Sequence, residues 1–152
     1  MKLEDQVCSL ALAKSLKELG IEQESLFYWQ FFTGHDFVIH DVNKALNYDT
    51  ETYSAFTVAE LGEMLPKAVS IVTEDEDKKI FSNFRLVTGR SLIIEEVKPV
   101  EVWSINYICD TTNEFRNWLF DLLLTKPMYD KNEANARAKM IIHLMETKLW
   151  KP

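Results

Sequence analysis

Glycine and proline are scarce in this sequence, four of each in 152 residues, and cysteine occurs only twice. Disordered chains are rich in such breakers and poor in core formers, whereas this one is 47% hydrophobic and 12% aromatic, so disorder is excluded and a packed fold expected. The two cysteines, Cys8 and Cys109, form no CxxC pair, which suits a reducing compartment and leaves both as small core residues. No apolar run reaches the roughly 18 residues of a membrane span, since Asp121 breaks the richest stretch, Trp118 to Leu124. No apolar leader follows Met1, because Lys2, Glu4 and Asp5 come first. A cytoplasmic protein is therefore the expectation for its location.

Several chemistries lack their usual parts. The glycines, Gly20, Gly34, Gly62 and Gly89, are isolated, so no phosphate-cradling loop is present. No Gly-x-Ser-x-Gly elbow occurs, and neither cysteine has neighbours that would lower a thiol pKa. No cofactor is expected. Basic charge is missing from the first half: residues 1–77 carry 15 acids and 5 bases, residues 78–152 carry 9 acids and 12 bases. A net charge of −7 argues against a general nucleic-acid binder, but a local basic face in the second half survives the argument.

What is present is strong patterning. Residues 5–19 predict an amphipathic helix with Cys8, Ala11, Leu12, Ser15, Leu16 and Leu19 on one stripe, stopped by Gly20. The aromatic run from Leu26 to Phe32 and the stretch from Phe37 to Val42 predict a hairpin, with Thr33 and Gly34 in its turn. A polar loop from Asn43 to Ser54 follows. Thr57 and Glu60 form a capping box ahead of a short helix through Val58, Leu61 and Leu65. Ala68 to Thr73 predicts a strand and Glu74 to Asp77 a solvated bend.

Ile80 to Val87, Ser91 to Val97 and Val100 to Cys109 predict a meander with corners at Thr88-Gly89-Arg90 and Lys98-Pro99. On its last strand Trp103, Ile105, Tyr107 and Cys109 share one face. From Thr111 the period turns helical, and Phe115 to Leu124 is apolar nearly all round. After Pro127, Asp130 or Asn132 can cap a last helix with Ala134, Ala138, Ile141, Ile142, Met145 and Leu149 on one face and His143 on the polar side. With no repeat or linker, residues 1–152 read as a single α+β domain: an antiparallel sheet of five or six strands packed against an N-terminal helix and two C-terminal helices.

Three groups of residues are functional candidates. His35-Asp36 and His40-Asp41 carry metal-ligand chemistry, but in an extended strand residues five apart point to opposite faces, so a metal-dependent hydrolase is the weakest reading. Arg85, Arg90, Arg116, Arg137 and Lys139 would serve a nucleic-acid-binding regulator if they converged in space. Phe27, Trp29 and Phe31, with Trp118, Phe120 and Leu124, hold more apolar surface than single-sided elements need, which suits a larger core, a homo-oligomer or a protein partner.

The segments AFTVAELGEMLP (within Tyr53 to Pro66) and EANARAKMIIHLME (within Asn132 to Glu146), with the opening helix Leu3 to Gly20, resemble a group of small uncharacterised phage and prophage-type bacterial proteins. The resemblance covers about a third of the chain and implies a genomic setting without catalytic residues. The leading expectation is a non-enzymatic accessory protein that works by binding another protein, with no membrane partner.

Overall fold

The computed structural model describes residues 2–31, 36–43, 51–75, 78–95, 98–109 and 127–152. Within them the chain is α+β, with helices α1 (Leu10–Glu18), α2 (Val58–Met64) and α3 (Glu133–Glu146). There are two antiparallel sheets where the patterning predicts one. The first has the order β2-β1-β3, from β1 (Phe27–Phe31), β2 (Phe37–Asp41) and β3 (Thr52–Ser54). The second has the order β4-β5-β6-β7, from β4 (Ala68–Asp75), β5 (Lys78–Glu95), β6 (Lys98–Cys109) and β7 (Met128–Asp130). No described helix is long and apolar enough to cross a membrane.

The first helix starts later than its stripe suggests. Ser9 is extended, Val7 bridges Thr57, and the Cys8 amide donates to the Phe56 carbonyl at 2.9 Å, so the chain before Leu10 is tied to the α2 entrance. The stop is as expected. Gly20 sits at φ 88°, its N–H donates to the Lys17 carbonyl, and that of Ile21 reaches Leu16. This paired closure satisfies two orphan carbonyls and needs the left-handed backbone that glycine adopts without a Cβ clash.

The capping box forms in full. The Glu60 amide donates to Thr57 Oγ1 at 3.3 Å, and the Thr57 amide donates to Glu60 Oε2 at 2.7 Å. The same carboxylate takes the Leu26 amide at 2.9 Å and the Ser25 hydroxyl at 3.2 Å, so one side chain joins α2 to the start of β1. The predicted hairpin is present, with Phe27 opposite Asp41 and Phe31 opposite Phe37. Inside the expected loop lies β3, which pairs with the other edge of β1.

The meander departs from its predicted corners. Thr88, Gly89 and Arg90 lie within one 18-residue strand and pair with Ile105, Ser104 and Trp103. Gly89 is outside the left-handed region, and the ladder runs straight through it. Lys98 and Pro99 likewise pair with Glu95 and Ile94. An isolated glycine marks a turn only when the pairing pattern also breaks, and here it does not. The acidic bend is shortened too, since β4 runs on to Asp75.

The core gathers where these elements meet α3. Leu16, Phe56, Leu61, Ile105, Tyr107, Met140 and Ile141 are buried in one cluster. Each large apolar side chain so buried contributes about 1.5–3 kcal/mol. The Tyr107 hydroxyl donates to the Pro66 carbonyl at 2.6 Å, satisfying the polar end of a fully buried ring. Helix α3 touches α1, α2, β6 and β7. Ala134, Ala138 and Ile141 are buried, but so are Ala136 and Met140, which lie about half a turn round the helix. Its single predicted face is therefore really two. His143, expected on the polar side, is half-buried. The predicted helix Phe115 to Leu124 lies outside the described residues.

Candidate functional site

A cleft of about 630 Å³ opens where the N-terminal turn, β1, α2 and the β7-to-α3 corner converge on the second sheet. Phe27, Val58 and Trp103 give it apolar walls, and Arg90 and Lys131 stand at its edge. Its charged groups already have intramolecular contacts. Arg90 Nη1 donates to Glu101 Oε2 at 3.0 Å while the guanidinium stacks over Trp103 at 5.2 Å. Glu133 Oε1 accepts from Arg137 Nε and Nη2 at 3.1 and 2.6 Å. The one hydroxyl among the lining residues, that of Thr57, donates to Glu60 and serves the cap.

The basic candidates are similarly engaged. Lys139 Nζ donates to Asp130 Oδ2 at 2.6 Å and to the Tyr129 carbonyl at 3.0 Å. Arg137 is held by Glu133, and Arg90 by Glu101. Arg85 is exposed on β5, and Arg116 lies outside the described residues. Arg90, Arg137 and Lys139 thus sit against carboxylates, which lowers the positive potential a phosphate backbone would meet.

Burial pulls the Asp130 carboxyl upward, yet the bonds from Lys139, the Asn132 amide and Asn135 outweigh it and hold it below its ordinary value. Glu60 behaves alike: burial raises it, and the Thr57, Leu26 and Ser25 donors more than offset that rise. Burial pushes the Cys8 thiol up to about 12, the opposite of an activated nucleophile. His40 lies on β2 opposite Tyr28, Asp36 is exposed, and His35 falls outside the described residues. Among the described residues no three His, Cys, Asp or Glu side chains gather as a metal site.

The hairpin has two unlike faces. Trp29, Phe37 and Tyr53 face α1: the Trp29 indole donates to the Cys8 carbonyl at 3.0 Å, and Lys14 lies 4.9 Å over Phe37 and 5.0 Å over Tyr53. Phe27 is half-buried along the cleft, and Phe31, on the same strand face, is exposed. On the opposite face Leu26 stands across from Val42 at the open end of the hairpin, and Val38 lies farther along β2. These three are 60%, 41% and 45% exposed. Sequence reasoning missed them because it ranked the aromatics by size. The signal was the alternation itself, which places Leu26, Val38 and Val42 on the face opposite Phe27, Trp29 and Phe31. Trp118, Phe120 and Leu124 lie outside the described residues.

The sheet's two edges also differ. Phe31 donates to the Glu51 carbonyl and Ala55 to that of Phe27, so the backbone of residues 52 and 54 points away from β1. Side chains cover it: Lys17 Nζ donates to the Thr52 carbonyl at 3.1 Å, and the Ser54 amide donates to Gln23 Oε1 at 3.0 Å. Val42 donates to the Leu26 carbonyl, so the same alternation aims the backbone of Phe37, Ile39 and Asp41 outward from β2. Among the described residues no strand pairs with that edge. No protein-family model matches the chain, and comparison with curated proteins and with solved structures finds no match.

Proposed function

We propose that this chain is a non-enzymatic protein-binding module, an accessory protein of the phage or prophage type it resembles, working in the bacterial cytoplasm. The observation that carries the reading is where exposed apolar surface lies. Of the large hydrophobic side chains exposed among the described residues, Leu26, Phe31, Val38 and Val42 all belong to one hairpin, and only Tyr129 lies elsewhere. Single exposed hydrophobics are ordinary, but Leu26, Val38 and Val42 share one face of that hairpin, and several together mark a surface that gains by being covered. The engaged cations and the high thiol pKa support binding over catalysis.

The test compares the wild type with a Leu26→Asp, Val42→Asp variant in affinity capture from bacterial lysate, with melting curves to show that both fold. Specific capture by the wild type and its loss in the variant is expected. Equal capture by both sinks the reading. Retention of DNA or RNA by purified protein, falling steeply with salt and lost in an Arg85→Ala variant, would replace it with the nucleic-acid alternative.

A further inference from the structure

We propose that the cleft beside Trp103 binds a carboxylate carried on an apolar, ring-sized body, either a small organic acid or the C-terminal residue of a peptide. Every residue lining the cleft is among the described ones, so both its walls and its space of about 630 Å³ are defined. Small-ligand sites typically span about 300–1,000 Å³. The cleft borders Phe27, on the sheet face opposite Leu26, Val38 and Val42, so this site lies apart from the protein-binding surface and does not depend on it.

One wall is rigid. Arg90 and Trp103 are cross-strand partners on β5 and β6, and Trp103 pairs on its other side with Asp130 of β7, so both side chains stand on laddered backbone. Trp103 packs against the core cluster, as does Val58. Arg90 lies over the indole at 5.2 Å, which restrains a long side chain that water alone would leave mobile.

This wall has donors to spare. Glu101 takes only Nη1 of Arg90, and among the described residues neither Nε nor Nη2 of Arg90 nor the Trp103 indole N–H has an acceptor. The ion pair is loosely held, with side chains 59% and 57% exposed, and such exposed pairs contribute little. The Nε and Nη2 edge of a guanidinium matches the two oxygens of a carboxylate. An apolar body on that carboxylate would cover Phe27, Val58 and the indole. Asp5 and Glu133 also line the cleft, so a dianionic phosphate meets more repulsion there than a singly charged carboxylate.

Titration of the full chain with 3-phenylpropionate, followed by amide NMR shifts and calorimetry, tests the site. The acid should bind and move amides that line the cleft, whereas 3-phenylpropanol, propionate and inorganic phosphate should each bind about tenfold more weakly or worse. Arg90→Gln should cut the affinity for the acid about tenfold and leave that for the alcohol unchanged. Glu101→Gln should tighten the acid, since a competitor for the guanidinium is gone. Ala59→Glu places a carboxylate on the exposed rim, in the first turn of α2 where acids favour the helix, so it should fold normally and repel the probe. The Leu26→Asp, Val42→Asp variant should bind the probe as the wild type does, so this site and the protein-binding surface fail separately.

The proposal is overturned by unmoved lining amides, by equal binding of acid and alcohol, by phosphate binding as tightly as the acid, or by acid binding indifferent to Arg90→Gln. The peptide Gly-Gly-Phe identifies the source of the carboxylate. Tighter binding of the free peptide than of 3-phenylpropionate assigns a protein C-terminus, the reverse assigns a small acid, and an amidated peptide that binds as well as 3-phenylpropionate also overturns the proposal.

Discussion

Gly62 shows how closely one residue can be matched to its neighbour. It lies within α2, and a Cβ built there would come 2.6 Å from Arg137 Nη1 on α3. The missing methyl makes room for a guanidinium that bonds Glu133 one turn back. Two effects oppose each other in Gly62→Ala: alanine favours the helix by about 1 kcal/mol, and displacing a half-buried ion pair costs a similar amount. The substitution alone should therefore change stability little. In an Arg137→Ala background the clash is gone, and Gly62→Ala should then stabilise by about 1 kcal/mol. Urea denaturation of the four proteins in this cycle measures the difference, and equal effects in both backgrounds would exclude the contact.

At the scale of elements, the first sheet has its β3 edge closed by side chains. Lys17 and Gln23 do on β3 what an added strand would do, each at the cost of side-chain freedom. A Lys17→Ala, Gln23→Ala variant loses about 1 kcal/mol for each bond. It should also bare the outer edge of β3. A bare strand edge can pair with that of another copy, so the variant should associate more as concentration rises. Light scattering follows this directly, and a variant that is destabilised yet no more associated than the wild type would show that the two side chains guard nothing.

At the scale of the whole molecule, two carboxylates join elements to one another. Glu60 ties α2 to β1, and Asp130 ties the end of β7 to α3. Both titrate below their ordinary values of 4.5 and 3.8 in the folded chain. A carboxyl lowered by folding adds stability that is complete above its unfolded value and is lost as pH falls through its folded one. The melting temperature should therefore hold near neutral pH and drop below about pH 4. Glu60→Gln and Asp130→Asn should each melt lower at pH 7 and show a shallower acid fall. A fall as steep as that of the wild type in both variants would place the acid sensitivity elsewhere.

Local chemistry was legible in the sequence where a motif closes on itself within a few residues. The Gly20 stop, the Thr57 and Glu60 box, the Asn132 cap and the β1 and β2 hairpin all follow from side chains that meet their partners three to fifteen residues away. What tertiary contact decided lies beyond that range. Ser9 delays the start of the helix because its amide finds Asn135 Oδ1 at 2.8 Å, across 126 residues. Gly89 stays in a strand because Ser104 pairs with it, and α3 is buried on two flanks because helices and sheet both reach it. Alanine hid that second flank, being small enough to read as neutral in any pattern. The candidate surface divides the same way. Alternation along β1 and β2 already separated Leu26, Val38 and Val42 from Phe27, Trp29 and Phe31, but only the packed structure decides which face α1 covers and which strand edge Lys17 and Gln23 seal. A strand's period is local, whereas what lies over it depends on where distant chain comes to rest.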